Sequence, residues 1–195
     1  MSPRRAIFMD RDGTVCEEVG YVNHVDRVRL LPRSAEAVRL ANEAGFQTVV
    51  VTNQAGVARG YFDEDLVHEA HDALRRQLAE AGARLDGIYY CPHHPEVGAP
   101  AYRRECGCRK PLPGMLLRAR EEMGIDLAAS YVVGDTVKDL GVARGVGATA
   151  VLVLTGYGRG ELEHQSHAWT VQPDHVAEDL LDAVRWILDR EGDEG

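Results

Sequence analysis

A chain of 195 residues without a linker rich in proline, glycine or serine is long enough for one well-buried domain, so we expect a single domain over residues 1–195. Its net charge of −9 argues against a nucleic-acid-binding surface, and it has neither an apolar signal segment nor a long uncharged apolar run that could cross a membrane. We therefore predict a cytoplasmic protein with no nucleic-acid or membrane partner and, because no heptad pattern is evident, a monomer.

Short apolar runs alternate with segments of helical periodicity along the chain. The strand-like runs cover residues 6–9, 47–51, 87–90, 131–133 and 148–154. Helices are predicted after Ser34, after Asp63, from Pro113-Gly114, around Leu140, and in a C-terminal segment capped near Asp174. Strand-helix alternation of this kind predicts an α/β fold with a Rossmann-like, doubly wound parallel sheet in three layers, α/β/α. No long insertion follows the first strand or the second helix, so we expect no separate cap domain.

The first strand runs directly into two carboxylates, Asp10 and Asp12, followed by Gly13-Thr14. Residues i and i+2 of an extended segment point the same way, so both side chains would converge on one site, where their charges repel unless a cation lies between them. Mg²⁺ suits such hard oxygen ligands together with substrate phosphate oxygens. The alternative is a polar turn that only closes the strand, because Asp and Gly are common in turns.

Polar residues also follow the second and fourth strands, as Thr52-Asn53 and as Asp135. In doubly wound sheets the ligand binds beyond the carboxyl ends of the strands, so these residues can share one crevice with Asp10 and Asp12. Asp135 would then complete a Mg²⁺ site with Asp10 and with the backbone carbonyl of Asp12. The alternative, that polar residues simply begin loops, explains each position separately but not this selection of side chains.

This selection predicts phosphoryl transfer through an aspartyl-phosphate. Asp10 would attack phosphorus, and Asp12 would act as general acid toward the leaving alcohol and then as base toward water. Thr52-Asn53 would donate to phosphate oxygens, and Lys110 would stabilise the charge of the transferring group. Asp139 either ligates the metal or orients Lys110 or a bound water, and we expect the supporting role.

Three cysteines and a histidine form two close pairs, Cys91-x-His93 and Cys106-x-Cys108. Three thiolates and one imidazole suit a closed tetrahedral Zn²⁺ site, so we expect a structural zinc that organises the loop over residues 91–108. His94 is the alternative ligand to its neighbour His93. A disulfide framework is the other alternative, and a cytosolic location disfavours it.

Without a cap, substrate selectivity must come from loops: residues 17–24, the zinc loop and the region of Arg59. Arg59 either reaches a distal phosphate or is a solvated arginine near a helix. His68 and His71 lie on the second predicted helix, and we expect both to be partly exposed surface residues rather than metal ligands.

Four ordered stretches resemble the motifs of the haloacid dehalogenase superfamily of phosphatases: residues 10–14, Thr52-Asn53-Gln54, Lys110-Pro111, and Gly134-Asp135 with Asp139. Two longer stretches are more specific. Residues 53–61, and the cysteine loop from Cys91-Pro92-His93-His94-Pro95 to residues 106–111, resemble the D-glycero-D-manno-heptose-1,7-bisphosphate 7-phosphatases. The resemblance extends from about Ala6 to the C-terminal helix.

The resemblance implies Mg²⁺-dependent removal of the 7-phosphate of heptose bisphosphate, giving heptose 1-phosphate for nucleotide-activated heptose and bacterial surface polysaccharide. It implies Asp10 as nucleophile, Asp12 as proton donor, and Thr52 and Lys110 as stabilisers of the phosphoryl group. The substrate-binding positions that we predict are Glu18, Val19, Gly20, Tyr21, Thr52, Asn53, Gln54, Ala55, Arg59, Arg109 and Lys110. At Thr136 the chain departs from the family, whose members often carry Lys directly after the motif aspartate, so how the second phosphate is held stays open.

Other functions stay open at this point. Histidinol-phosphate phosphatases share the catalytic motifs and a similar zinc loop, although residues 58–61 favour the heptose enzyme. A polynucleotide 3′-phosphatase would have a similar second motif, but the net acidity and the lack of a kinase P-loop count against it. A binding or scaffold protein without catalysis is disfavoured, because Asp10, Asp12, Lys110 and Asp135 are all present.

Overall fold

Six parallel strands form one sheet in the computed structural model, which describes residues 4–193. The ends of the predicted domain, residues 1–3 and 194–195, lie outside these residues. The strands are β1 (Ala6–Met9), β2 (Gln47–Asn53), β3 (Gly87–Cys91), β4 (Tyr131–Gly134), β5 (Thr149–Val153) and β6 (His175–Ala177). Their order across the sheet is β3-β2-β1-β4-β5-β6. Because β1 pairs with both β2 and β4, the winding reverses beside β1, which is where doubly wound sheets bind ligands.

Helices pack on both faces of this sheet. They are α1 (Ser34–Glu43), α2 (Glu64–Glu80), α3 (Gly114–Met123), α4 (Val137–Val146), α5 (Gly158–His164) and α6 (Leu180–Asp193). Apolar residues of α1, α2 and α6 share a core with Ile7 and Met9 of β1. The alternate residues of β1, Ala6 and Phe8, share a second core with α3 and α4. The predicted three-layer α/β fold is therefore confirmed, and β1, β4 and β5 are largely apolar because both faces of the sheet are covered.

The C-terminal third differs from the prediction. The helix α5 and the strand β6 were not predicted. The three extended residues of β6 are too few to show a usable periodicity. Asp174 does not cap the last helix. It precedes β6, where its carboxylate accepts the backbone N–H of Ala150 at 2.8 Å and the guanidinium of Arg144 at 2.9 Å. The last helix begins at Leu180 instead.

The predicted helix starts are partly correct. Asp63 caps α2, and its Oδ1 accepts the backbone N–H three residues on at 3.0 Å. Ser34 is the first residue of α1 rather than its cap, a position that Arg33 holds in the left-handed conformation, with φ of 66°. Within residues 4–193, every helix is too short or too polar to span a bilayer.

The histidines of α2 lie on different faces. His68 is exposed, as predicted, but the prediction that His71 lies at the surface is wrong, because His71 is only 7% exposed. It lies on the face of α2 that carries Val67, Ala70 and Leu74 into the core, and this burial lowers the pKa of His71 to about 3. Helical spacing puts His71 four residues after Val67, so its burial follows from geometry rather than from polarity.

Candidate active site

Polar side chains beyond the carboxyl ends of β1, β2 and β4 meet in one cleft of about 140 Å³. The cleft lies beside the point where the winding of the sheet reverses. Its lining residues are Asp10, Asp12, Glu18, Gly20, Thr52, Asn53, Lys110, Asp135, Thr136, Lys138 and Tyr157. The structure therefore brings together all four residues that the sequence predicts to be catalytic.

The buried Lys110 forms an ion pair with the partly exposed Asp10 in this cleft. Lys110 Nζ lies 2.9 Å from Asp10 Oδ1 and donates to Asp139 Oδ1 at 2.7 Å and to the carbonyl oxygen of Val51 at 3.0 Å. Burial raises the pKa of Asp10 to about 7, against the opposing charge of Lys110. Although burial opposes its charge, Asp10 and Asp139 raise the pKa of Lys110, so it is a cation at neutral pH.

Asp135 completes an acidic group with Asp10 and Asp139, in which each residue offers one oxygen within 4.8 Å of the others. Burial raises the pKa of Asp135 to about 8, and the charges of Asp10 and Asp139 act in the same direction. Oδ2 of Asp135 accepts the backbone N–H of Tyr157 at 2.8 Å, whereas Oδ1 is buried and has no hydrogen-bond partner among residues 4–193. A buried carboxylate oxygen without a donor fits a cation, because desolvating an unpaired charge is costly.

The carboxylate of Asp12 lies outside this acidic group. Arg11, only 1% exposed, donates to both of its oxygens, from Nε to Oδ1 at 3.0 Å and from Nη2 to Oδ2 at 2.8 Å. Gln54 Nε2 adds a third donor to Oδ2 at 3.0 Å. These three donors engage both carboxylate oxygens of Asp12. Only its backbone carbonyl is therefore available as the metal ligand that the sequence predicts.

The two polar residues that end β2 have different surroundings. The Thr52 hydroxyl oxygen lines the cleft and accepts a hydrogen bond from Gln54 Nε2 at 2.8 Å. The Asn53 amide is bonded on both sides to the backbone of Lys110, as acceptor from its N–H at 3.0 Å and as donor to its carbonyl at 3.2 Å. Asn53 therefore holds the backbone of Lys110 in place, and the second N–H of its amide remains for the phosphate contact that the sequence predicts.

Only some residues of the predicted substrate loops line the clefts. Glu18 and Gly20 line the catalytic cleft, and Tyr21 lines an adjoining cleft of about 280 Å³ together with Gln54, Ala55 and Arg109. Val19 and Arg59 line neither cleft. The backbone carbonyl of Val19 accepts from Arg27, and Arg59 Nη2 lies 3.3 Å from His94 Nε2.

Two cleft residues, Lys138 and Tyr157, were missed at the sequence level. Tyr157 lies beyond β5, on a segment that carried no recognised motif. Lys138 lies in the first turn of α4 and lines both clefts, and no hydrogen bond or ion pair within residues 4–193 engages it. The chain has only two lysines, Lys110 and Lys138, and both line this site. Because lysine is so rare in this chain, its second lysine could have been recognised from the sequence as a candidate site residue.

The four predicted zinc ligands converge at the end of β3. The sulfur atoms of Cys91, Cys106 and Cys108 lie 3.1, 3.3 and 3.5 Å apart, and His93 Nδ1 lies 3.4 Å from the Cys108 sulfur. Tetrahedral Zn²⁺ with bonds of about 2.3 Å to sulfur separates its sulfur ligands by roughly 3.8 Å, so the group is close to that geometry. All four cysteines are free, so the disulfide alternative is wrong.

His94 has a different role from its neighbour. Its Nδ1 accepts the backbone N–H groups of Glu96 at 3.1 Å and Val97 at 3.3 Å, which stabilises a turn in the loop. The group of possible metal ligands that the structure brings together contains His93 instead. Arg109, directly after Cys108, donates to the carbonyl oxygen of His93 at 3.2 Å, so the cysteine loop and the cleft are joined through this side chain.

Comparison with known proteins gives consistent results. Residues 107–183 match the family model for HAD-hydrolase-like proteins. The chain is 44% identical over 189 residues to the D-glycero-D-manno-heptose-1,7-bisphosphate 7-phosphatase of Thermosynechococcus vestitus, covering 95% of this chain and 96% of that protein. It is 48% identical over 153 residues to the D-glycero-beta-D-manno-heptose-1,7-bisphosphate 7-phosphatase of Escherichia coli K12, covering 77% of this chain and 80% of that protein.

A solved structure is similar over the same extent. The crystal structure of D,D-heptose 1,7-bisphosphate phosphatase from B. bronchiseptica, complexed with magnesium and phosphate, has a TM-score of 0.84 and 35% sequence identity. The match covers 95% of this chain and 99% of that one. The similarity therefore spans the sheet, the cleft and the cysteine loop together.

Proposed function

Because the chain belongs to the D-glycero-D-manno-heptose-1,7-bisphosphate 7-phosphatases, a family of HAD-like hydrolases, we propose that it removes the 7-phosphate of this sugar bisphosphate and leaves heptose 1-phosphate. The observation that carries the proposal is the pairing of Asp10 with Lys110, 2.9 Å apart, in a cleft that Asp12 and Thr52 also line. A carboxylate beside a fixed cation is what attack on a phosphorus atom requires.

Asp10 is the nucleophile of the proposed reaction. Its Oδ1 accepts the backbone N–H of Arg11 at 2.7 Å and lies 2.9 Å from Lys110 Nζ, so these two donors orient the carboxylate for attack. As the oxygen-phosphorus bond forms, the bond from phosphorus to the sugar oxygen breaks, and Asp12 gives that oxygen a proton. Asp12 then takes a proton from a water molecule, which attacks the aspartyl-phosphate and releases inorganic phosphate and the free carboxylate of Asp10.

Mg²⁺ is the proposed cofactor, held by Asp10, Asp135 and the backbone carbonyl of Asp12. The partnerless Oδ1 of Asp135 supports this assignment. Both oxygens of Asp139 are engaged, one by Lys110 and the other by the backbone N–H and the hydroxyl of Thr136, so Asp139 supports the site rather than ligating the metal. When bound, Mg²⁺ offsets negative charge on the transferring phosphoryl group.

The second phosphate of the substrate is proposed to lie at the rim, between Arg109 and Lys138. Both side chains line the adjoining cleft, which opens beside the catalytic one. Lys138 lies two residues after Thr136, so it supplies the positive charge that Thr136 lacks. The proposed zinc at Cys91, His93, Cys106 and Cys108 has a structural role, because it holds the loop that leads into Arg109.

The proposal is tested by phosphate release with Mg²⁺ from both anomers of heptose 1,7-bisphosphate, beside heptose 7-phosphate, histidinol phosphate and a 3′-phosphorylated oligonucleotide. We expect the highest kcat/KM with one bisphosphate anomer and no turnover by Asp10→Asn. Preference for histidinol phosphate would overturn the substrate, and turnover by Asp10→Asn would overturn the mechanism.

The rim assignment is tested separately with Lys138→Met. We expect KM for the bisphosphate to rise about tenfold, the loss of one charge-assisted contact, while KM for heptose 7-phosphate stays the same. An equal change for both substrates would contradict a contact with the second phosphate. The cytoplasmic location, the surface-polysaccharide pathway and the monomeric state stay predictions.

A further inference from the structure

Gln54 connects two residues of the catalytic cleft. It follows β2, is 5% exposed, and its Nε2 lies 3.0 Å from Asp12 Oδ2 and 2.8 Å from Thr52 Oγ1. Its backbone N–H donates to the carbonyl oxygen of Cys91 at 2.8 Å, which anchors the residue beside the end of β3. A side-chain amide has two N–H protons, and these two contacts use both of them.

The orientation of this amide follows from its neighbours. Arg11 Nη2 already donates to Oδ2 of Asp12, so this oxygen is an acceptor, and the proton that Asp12 gives to the leaving oxygen is carried on Oδ1. Rotating the amide of Gln54 by half a turn would bring its oxygen against Asp12 Oδ2, and two acceptors at that distance repel. The nitrogen of Gln54 must therefore face Asp12.

The same constraint determines where the Thr52 hydroxyl proton points. The amide nitrogen of Gln54 can only donate, so Thr52 Oγ1 is the acceptor of their hydrogen bond. Because a hydroxyl has a single proton, that proton is left for an acceptor in the cleft. Without Gln54, the hydroxyl would lose this donor and could turn its proton to another acceptor.

We propose that Gln54 is a positioning residue that directs the Thr52 hydroxyl proton toward the phosphoryl oxygens and holds Asp12 in its catalytic orientation, rather than a substrate-binding residue. This rests on the proposed phosphatase activity but not on the identity of the sugar. A substrate contact would change KM, whereas a positioning contact changes kcat, because it acts on groups that engage the transferring phosphoryl group.

The test compares Gln54→Met, which keeps the length of the side chain but has no donor, with Thr52→Val and with the double variant. We expect Gln54→Met to lower kcat about tenfold to a hundredfold with KM within about twofold of native. Because Gln54 acts partly through Thr52, the two losses should not add, and the double variant should be only slightly worse than the poorer single variant. Gln54→Glu, which sets a carboxylate against Asp12, should lower kcat at least as far.

Gln77→Met is the matched control, since Gln77 is a partly buried glutamine whose amide bonds the backbone of Val28 at 2.7 Å and Leu30 at 3.4 Å, away from the cleft. It should lower thermal stability and leave kcat unchanged. All variants are measured with heptose 1,7-bisphosphate and with p-nitrophenyl phosphate, so a wrong sugar assignment would not invalidate the comparison. A rise in KM at constant kcat, additive losses with Thr52→Val, or an equal loss of kcat in Gln77→Met would each overturn the proposal.

Discussion

Replacing Lys110 by Met removes the cation from the most buried part of the site. The Lys110 side chain is 3% exposed and the Asp139 side chain 1%, and its ammonium group contacts Asp10 and Asp139 at 2.9 and 2.7 Å. Loss of one partner from a buried ion pair costs about 3–5 kcal/mol, because the remaining charge is neither solvated nor paired. We expect Lys110→Met to lower the free energy of unfolding of the metal-free protein by about this amount at pH 9.

The loss of unfolding free energy in Lys110→Met should increase with pH. The pKa of Asp10 is raised to about 7, above its value in the unfolded chain, so below that pH the folded protein holds a proton on this carboxyl. The uncompensated charge on Asp10 therefore appears only as the pH rises, and this part of the loss in Lys110→Met should be smaller at pH 6 than at pH 9. Lysine removal should also lower kcat about 10²–10³-fold, because a preorganised charge at the transferring group is lost.

Urea unfolding without Mg²⁺ at pH 6 and pH 9, together with phosphate release, measures these effects. Lys138→Met is the control, since Lys138 is exposed and unpaired within the described chain and its loss should leave the unfolding free energy unchanged. A loss of stability in Lys110→Met that is the same at both pH values, or turnover within about tenfold of native, would refute the reasoning.

Three further predictions concern the metal sites. Removal of zinc by a chelator, or Cys108→Ser, should lower thermal stability and kcat/KM together, because Arg109 loses its anchored loop; unchanged kinetics in protein shown to be zinc-free would contradict this. The apparent Mg²⁺ affinity, measured by thermal shift, should rise between pH 6 and pH 9, because the pKa values of Asp10 and Asp135 are raised to about 7 and 8 and both must lose a proton; a flat profile would argue against these ligands. Gly13→Ala should weaken Mg²⁺ activation about tenfold or more, because Gly13 has φ of 83° and an added Cβ would overlap Asp135 Oδ2; native Mg²⁺ dependence would refute this contact.

Much of the fold and the location of the site followed from sequence patterns. Apolar runs that end in acids, hydroxyls or amides predicted β1, β2 and β4 and the edge where they meet, because parallel strands present their carboxyl ends on one side. The spacing of Cys91, His93, Cys106 and Cys108 predicted the cysteine group for a similar reason, since residues two apart on a turn of chain can share one ion.

These sequence patterns do not predict which hydrogen-bond partners the side chains have. The Asn53 amide bonds the Lys110 backbone 57 residues away and Gln54 bonds Asp12 42 residues away, and no local pattern indicates either partner. Lys138 was missed because nothing local distinguishes it from a solvated lysine in the first turn of a helix. Short elements such as β6 were missed because their stability comes from the neighbouring strand and not from their own periodicity.

The sequence by itself determined the fold class, the edge of the sheet that carries the site, and the residue types gathered there, because apolar periodicity and strand-end chemistry are local properties of the chain. Only the tertiary structure decided which donor meets which acceptor: Arg11 and Gln54 on Asp12, Asn53 on Lys110, and the partnerless oxygen of Asp135. Apart from Arg11 on its neighbour Asp12, those pairings depend on distances between segments far apart in the chain, and a few ångströms separate a contact from none.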